Sequence, residues 1–357
     1  MVYTRRDFAK LAAAAVPLAT AYAAIDSKFG GVQIGAITYS FRSIPDPLVI
    51  IQDYVEVGLG EAELMSNHCE ALAGMPAVPN FGRGGFGGGR GTGQGRGAGA
   101  PPAPPAAPPA TGAAAQTADG APPAGRRGGG RAPLTPEQQE QVNQAREAIA
   151  KWKTGVTADT WKGVRKKFND AGIEIALLCY NMSDNMKDQD IEYGFEMAKG
   201  LGVKGLTTST TLTMAKRIAP IADRYKLTVG YHGHDQTDDP NQTATLESYD
   251  TLMAYGKYNC VNLDIGHFTS ANYDAVAFIK QHHDKITNLH LKDKTRDHGQ
   301  NTPWGQGDTP IKPVLQLLKK EKYGFPANIE LEYTVPPDST VVAEMKKCLA
   351  FCKDALA

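Results

Sequence analysis

Cysteine is scarce in this sequence, and its spacing excludes two kinds of small protein. The 357 residues contain five cysteines, and none stands in a CxxC pair. An odd number without such pairs predicts neither a zinc knuckle nor a complete disulfide framework. We therefore interpret the cysteines as buried or incidental thiols.

Aliphatic residues are almost missing between positions 79 and 133, where the chain consists mainly of Gly, Ala, Pro and Arg. Folding such a segment would not offset its lost conformational entropy. We predict a low-complexity, disordered insertion at 79–133 within a single domain that spans 30–357. Its two Arg-Gly-Gly pieces leave a nucleic-acid role as the alternative to a solvated surface loop.

An excess of either charge is also absent over the whole chain, which has 38 basic and 38 acidic residues. The first 24 residues carry a net charge of +2 and the segment 78–134 a net charge of +5, so the remainder is near −7. An acidic body argues against a nucleic-acid surface, which needs clustered Lys and Arg. Small neutral or metal-held substrates fit better.

Long apolar runs are missing as well. The run from Leu11 to Ala23 has thirteen residues, too short for a stable membrane span, and no other segment is a candidate. It follows the pair Arg5-Arg6 and ends in small residues, the order of a twin-arginine export signal rather than of an ordinary basic amino terminus. We predict a signal peptide at 1–24 and a periplasmic or otherwise exported protein.

The remaining sequence alternates short β-branched runs with helical patterns, in eight strand-then-helix units. This repeat predicts an α/β fold, a closed (β/α)8 TIM barrel with the insertion after strand 2. An open doubly wound sheet is the alternative, but no GxGxxG follows the first strand. Predicted strands are 32–39, 61–66, 173–180, 203–209, 227–232, 260–265, 286–292 and 327–333. Predicted helices are 46–57, 135–170 with a break near Gly155, 188–200, 211–225, 243–256, 271–282, 309–322 and 338–355.

Polar residues gather at the carboxyl ends of these strands, where barrels of this type carry their reacting groups. Alternation along a strand places His290 and Lys292 on one face, and likewise Glu330 and Glu332. Imidazole and carboxylate groups that converge there suit Mn²⁺, Mg²⁺, Co²⁺ or Zn²⁺ without selecting sharply among them. A structural hydrogen-bond network is the alternative. The runs concerned are Glu61-Ala62-Glu63, His232-Gly233-His234-Asp235, Leu263-Asp264-Ile265-Gly266-His267, Leu289-His290-Leu291-Lys292-Asp293 and Ile329-Glu330-Leu331-Glu332.

The last three of these runs, together with Trp304-Gly305-Gln306-Gly307-Asp308, resemble the sugar phosphate isomerase/epimerase superfamily of xylose-isomerase-like TIM barrels. The resemblance covers nearly all of the chain except the signal and the insertion. It implies that Asp264, His290 and Glu330 bind a divalent metal. It also implies that His267 and Lys292 contact substrate.

The chain departs from many relatives after strand five, where they carry a glutamate that binds metal and exchanges a proton. Here no glutamate is present, so the fourth ligand is expected to be His232, with His234 and Glu63 as alternatives. Candidates for acid–base work are the side chains of Glu330, His232, His267, Lys292 and Glu332. Candidates for substrate binding are Glu63, His234, His267, Lys292 and Arg296.

The resemblance implies an enzyme of carbohydrate metabolism, a metal-dependent sugar isomerase or epimerase. It would abstract a proton beside a carbonyl, with the enediolate stabilised by a divalent metal. A lyase or hydratase on a 3-keto-sugar or keto-glycoside, a phosphodiester hydrolase of the endonuclease type and a non-catalytic sugar-binding protein are the alternatives. We expect an unphosphorylated sugar as the small-molecule partner, because no Gly-rich phosphate loop follows strand seven or eight, although Arg296 could grip a phosphate. The sequence leaves the oligomeric state open.

Overall fold

The computed structural model describes residues 23–79 and 134–357. The predicted export signal therefore lies outside the described residues except for its last two positions. The predicted insertion lies outside them except for Pro79. Both remain predictions.

Eight parallel strands form a closed barrel. Each strand pairs with its sequence neighbours, and β1 closes the ring by pairing with both β2 and β8. Two short antiparallel pairs accompany the barrel, Lys28–Phe29 against the start of β1 and Asp293–Lys294 against Asn301–Thr302. The predicted (β/α)8 fold is confirmed. The strands are β1 Val32–Ile37, β2 Glu61–Met65, β3 Glu174–Cys179, β4 Gly205–Thr208, β5 Thr228–His232, β6 Asn259–Asp264, β7 Ile286–Leu291 and β8 Ala327–Ile329.

Helices surround the barrel and bury their apolar faces against the strands. In chain order they are α1 Pro47–Val57, α2 Ser66–Leu72, α3 Pro136–Thr154, α4 Ala158–Asp170, α5 Asp188–Leu201, α6 Leu212–Tyr225, α7 Leu246–Ala254, α8 Ile265–Ser270, α9 Ala275–His282, α10 Ile311–Glu321 and α11 Val341–Leu356. The break predicted near Gly155 separates α3 from α4. Within the two described ranges, no helix has both the length and the apolar character needed to cross a bilayer.

Local sequence explains most helix boundaries. Asp46 caps α1 by accepting the N–H of Leu48, with Pro47 at the first helical position. Thr340 caps α11 by accepting the N–H of Ala343. Gly58 ends α1 in the left-handed conformation, with φ 88°. These signals are local in sequence, so the pattern of the chain alone predicts them.

The structure differs from the sequence-based prediction at three elements. The strand predicted for 327–333 ends at Ile329, although the N–H of Glu330 still donates to the carbonyl of Leu291. The short helices α2 and α8 follow β2 and β6 directly and were not predicted. All five cysteines are buried and free, as expected.

Candidate metal and substrate site

Four side chains that could hold a metal ion meet at the carboxyl end of the barrel. His232 ends β5, Asp264 ends β6, His290 lies in β7, and Glu330 follows β8. One ligand atom of each lies within 4.8 Å of the others, and all four residues are buried. These are the four residues predicted as metal ligands, and the barrel brings them together.

The atoms of this cluster face one another closely. His232 Nε2 lies 3.2 Å from Asp264 Oδ2 and 3.8 Å from Glu330 Oε2. His290 Nδ1 lies 3.2 Å from Glu330 Oε2. Burial opposes the charge of Asp264, but the ammonium of Lys292 and the imidazoles of His267 and His232 outweigh it and lower the pKa of Asp264. The carboxylate is therefore ionised at neutral pH, as a metal ligand must be.

Glu63 supports His290 from beneath. Its carboxylate is fully buried, and its Oε2 lies 2.7 Å from His290 Nε2. Asn288 and Asn328 donate to the same oxygen, and Thr207 donates to the other. Glu63 therefore lies under the cluster, and both of its carboxylate oxygens accept hydrogen bonds from other side chains. The sequence had predicted Glu63 as a substrate contact.

This arrangement favours a metal at the cluster. With Glu63 accepting the Nε2–H of His290, the Nδ1 lone pair faces the other three ligands, and that atom has no hydrogen-bond partner among the described residues. Metal-ligating histidines characteristically donate their second N–H to a carboxylate in this way. The mixture of two imidazoles and two carboxylates suits a divalent transition metal or Mg²⁺. The donor set therefore fits a metal, and its chemistry leaves the identity of the ion open.

Lys292 places a positive charge beside the cluster. Its Nζ lies 2.8 Å from both Asp264 Oδ2 and Glu330 Oε2, and 2.7 Å from Glu332 Oε2. Burial opposes the ammonium charge, but the three carboxylates outweigh it and raise the pKa of Lys292 well above its usual value. The three N–H groups of Lys292 thus face three carboxylates, and the side chain contributes a fixed positive charge at this position. It approaches the helix α8 closely, and a Cβ at Gly266 would lie 2.5 Å from its Cγ.

A second polar group borders the cluster and was missed by the sequence analysis. Asp235 Oδ2 accepts from Lys294 Nζ at 2.8 Å and from Ser270 Oγ at 2.9 Å, while its Oδ1 lies 3.3 Å from His267 Nδ1. Asp235 therefore orients the imidazole of His267. The signal was present, because Asp235 follows His234 directly and Lys294 lies two residues beyond Lys292, on the continuation of the same strand.

The motif around residue 305 is explained by Asp293. Its carboxylate accepts the backbone N–H groups of Gly305 at 2.8 Å, Gly307 at 3.0 Å and Thr309 at 3.2 Å. A Cβ at Gly307 would lie 2.3 Å from Asp293 Oδ1, so only glycine allows this approach. Asp293 thereby fixes the loop that leads into α10.

The remaining predicted substrate contacts fall in different places. His234 lies beside the cluster, with its ring centroid 4.8 Å from that of His232 and 5.3 Å from that of His267. Desolvation and the charges of His232 and His267 lower the pKa of His234 well below its usual value, so it is neutral at pH 7. Glu332 lies at the edge of the cluster, partly exposed. Arg296 is exposed, and its backbone N–H donates to Asp308.

The chain forms a closed parallel barrel with buried imidazole and carboxylate groups at its carboxyl end. These two features are those of a TIM-barrel enzyme. Residues 209–352 match the family model of xylose isomerase-like TIM barrels. That segment contains β5 to β8 and all four residues of the cluster. Over these residues the match confirms the resemblance to xylose-isomerase-like TIM barrels that the motifs predicted.

Curated relatives match a shorter part of the chain. An inosose dehydratase of Lactiplantibacillus plantarum is 31% identical over 122 residues, which cover 29% of this chain and 39% of the relative. A second inosose dehydratase, from Geobacillus kaustophilus, is 30% identical over 128 residues, or 35% of each chain. The match thus spans well under half the length of these relatives.

Solved structures match the whole barrel. A 3-keto-D-glucoside 4-epimerase from E. coli has a TM-score of 0.53 and 10% identity, covering 90% of this chain and 99% of that one. A sugar phosphate isomerase/epimerase from Parabacteroides distasonis has a TM-score of 0.51 and 13% identity, covering 94% and 99%. At these identities the likeness shows the fold alone.

Proposed function

We propose that this protein is a metal-dependent enzyme that removes a proton from the carbon beside a carbonyl group of a sugar. The observation that carries the proposal is the convergence of His232, Asp264, His290 and Glu330 within 4.8 Å at the barrel mouth. The hydrogen bond from His290 to Glu63 supports it, because it leaves the Nδ1 lone pair facing the cluster.

The four clustered residues would hold the metal, and the surrounding side chains would do the proton chemistry. When bound, the metal would supply Lewis acidity that stabilises negative charge developing on the substrate's carbonyl oxygen. Lys292 would place its positive charge beside a substrate oxygen, from the side of Asp264 and Glu330. The groups free to move a proton are His267, which borders His232 and His234, and Glu332, which contacts Lys292.

The two candidate proton carriers, His267 and Glu332, differ in their burial and in their neighbours. Burial and the nearby ammonium of Lys292 lower the pKa of His267, which keeps its imidazole neutral and able to accept a proton. Asp235 holds the Nδ1 side of that ring, so Nε2 is the atom available to substrate. Glu332 is partly exposed and hydrogen-bonded to Lys292. One base on each side of the reacting carbon would permit epimerisation.

Elimination is the second candidate reaction. After the same proton is removed, loss of a group from the next carbon gives a lyase instead of an isomerase or epimerase. The match to inosose dehydratases supports this version. Many relatives of this superfamily are expected to carry a glutamate near the end of β5, where this chain has a histidine. An epimerisation that uses two glutamates as bases therefore fits this site less well.

We propose that the substrate is an unphosphorylated sugar, and that a keto-sugar or keto-glycoside fits the site best. Lys292 and Lys294, the two lysines at the mouth, are already paired with the carboxylates of Asp264, Glu330, Glu332 and Asp235, so neither is free to bind a phosphate. Arg296, the one cation proposed to grip a phosphate, lies exposed in the loop after β7. Export through the twin-arginine route remains part of the proposal.

The test is proton exchange in D₂O. Metal-loaded protein is incubated with matched free sugars, keto-glycosides and sugar phosphates, and deuterium incorporation and products are read by NMR. Exchange into unphosphorylated keto-substrates is expected, and release of water or an aglycone would identify elimination. Exchange only into sugar phosphates would refute the substrate, and no exchange with any of them would refute the reaction.

Asp264→Asn provides the matched variant. It keeps the shape of the side chain but removes the ligand charge, so metal occupancy and exchange should fall together. Asp284→Asn is the control, because Asp284 is exposed and lies before β7, at the other end of the barrel. Undiminished exchange by metal-free Asp264→Asn would exclude the metal-dependent reaction.

A further inference from the structure

A cleft adjoins the cluster between the loops that follow β1 and β8. Its volume is about 520 Å³, within the range of roughly 300 to 1,000 Å³ that small-molecule sites occupy. One wall is formed by the segment after β1 and by α1, and the other by residues 331–335 and the start of α11. Glu332 lines the cleft and also binds Lys292, so the cleft and the metal cluster share this carboxylate.

Hydrogen bonds hold the two walls together. Ser40 Oγ donates to the carbonyl of Ile329 at 3.1 Å and accepts the N–H of Leu331 at 3.0 Å. Arg42 Nη1 donates to the carbonyl of Leu331 at 2.7 Å. The cleft is therefore preformed in the folded chain, and a ligand need not order these loops on binding.

Asp53 provides a polar group without a protein partner. It lies in α1 and lines the cleft with only 9% of its surface exposed. Its buried Oδ2 has no hydrogen-bond partner among the described residues. Burial raises its pKa, and repulsion from Glu56 adds to the rise. Because Asp53 lines the cleft, its carboxyl group offers a hydrogen-bond acceptor to a ligand hydroxyl at this wall.

The other lining groups define the chemistry of the ligand. Val49, Val341 and Val342 present apolar surface, and Ser339 and Thr340 add hydroxyl groups. The cleft holds the carboxyl groups of Asp53 and Glu332 beside the guanidinium of Arg42, so its lining does not favour a strongly charged ligand. Hydroxyl groups with apolar C–H faces between them match both kinds of lining. A neutral, hydroxylated ring has this combination.

We propose that the cleft is a subsite for the second ring of a disaccharide-like glycoside, whose first ring lies at the metal cluster. This inference rests on the proposed function and narrows its substrate class from a simple keto-sugar to a keto-glycoside with a hydroxylated aglycone. A hydroxyl of that second ring donates to Asp53, and its C–H face packs on the valines.

Binding of unreactive sugars tests the subsite separately from catalysis. Methyl glucoside and a panel of α- and β-linked glucose disaccharides lack the keto group, so proton abstraction does not consume them. Their affinities for Mn²⁺-loaded protein are measured by calorimetry or by saturation-transfer NMR. At least one disaccharide is expected to bind about tenfold or more tightly than methyl glucoside.

Two variants remove the subsite by different means. Asp53→Ala deletes the acceptor and is expected to weaken disaccharide binding by about ten- to a hundredfold, the range for a hydrogen bond to a charged group. Val342→Trp fills the cleft and should abolish the advantage of the second ring. Both should leave methyl glucoside binding unchanged. Glu56→Gln is the matched control on the same helix, since Glu56 is exposed and does not line the cleft.

The outcomes separate this inference from the proposed function. No disaccharide bound more tightly than methyl glucoside, or an advantage that survives both variants, would overturn the subsite even if proton exchange occurs. An advantage abolished by Asp53→Ala and Val342→Trp would establish the subsite even if no proton exchange is found.

Discussion

Among individual side chains, Glu63 has the strongest indirect influence on the proposed metal site. Glu63 does not belong to the four residues that would bind the metal, but its hydrogen bond fixes the orientation and tautomer of His290. Replacing such a carboxylate typically costs about ten- to a hundredfold in metal affinity. We expect Glu63→Gln to weaken Mn²⁺ binding by this factor in a calorimetric titration.

The control for this prediction is two residues away. Glu61 lies on the same strand and is also buried, but among the described residues no hydrogen bond or ion pair joins it to His290. Glu61→Gln should leave Mn²⁺ affinity within about twofold. Equal losses in the two variants would mean that Glu63 matters for general stability and not for the imidazole.

Glu61 itself should make stability depend on pH. Both of its carboxylate oxygens lack hydrogen-bond partners among the described residues. Burial raises its pKa well above the usual 4.5, and the charge of Glu63 adds to the rise. The folded state therefore binds the proton more tightly than the unfolded state, so this contribution to the free energy of unfolding is full below pH 4.5 and falls as pH rises above it.

Glu61→Gln removes that loss. Its melting temperature should exceed that of the wild type at pH 8 and approach it near pH 4, as measured by differential scanning calorimetry. An advantage of the variant that is the same at both pH values would contradict this explanation.

Among the helices and strands, α11 offers the clearest test of local sequence. Thr340 accepts the N–H of Ala343 and so satisfies one of the free donors at the start of the helix. Thr340→Ala should lower the free energy of unfolding by about 1 kcal/mol, and Thr340→Ser should retain most of it. Urea unfolding of the two variants measures the difference. A loss as large in the serine variant would assign the effect to packing of the methyl group.

The elements that the sequence predicted well are those defined by local patterns. The α1 signals at Asp46 and Gly58 and the β-branched strands could be recognised without knowing the fold. The helix α8 could not, because its start depends on Asp264 accepting the N–H of His267 while also pairing with Lys292, which follows the adjacent strand β7. Short helices of this kind are fixed by tertiary contacts, which a periodic pattern does not contain.

The same distinction applies to the candidate site. The order of strands in a barrel, combined with polar residues at their ends, was enough to bring His232, Asp264, His290 and Glu330 together. It was not enough to place Glu63, because a strand-end carboxylate looks the same in sequence whether it lies above or beneath its neighbours. Asp235 was missed because its partners lie in two other segments of the chain.

For the chain as a whole, the segment from 80 to 132 should be dispensable for folding. The barrel closes through β1, β2 and β8 without any described residue of that segment. The entropy of closing a loop grows only logarithmically with its length, each doubling costing about 0.6 kcal/mol. Replacing the segment with a short Gly-Ser linker should leave the melting temperature and proton exchange nearly unchanged.

A large fall in melting temperature would show instead that the segment packs on the barrel. The segment follows β2 and α2 in the sequence, and β2 ends on the same side of the barrel as the site. Unchanged stability with altered substrate preference would therefore assign it a role in covering the mouth.

The ammonium of Lys292 has a consequence for the order in which the protein folds and binds its metal. It already balances charge among Asp264, Glu330 and Glu332, so the chain carries a tethered counter-ion of its own. A metal bound there would add to a charge balance that Lys292 has already established, and we expect the barrel to fold before the metal binds. Chelation should strip the metal while the barrel stays folded, in contrast to proteins whose fold is created by the metal they bind.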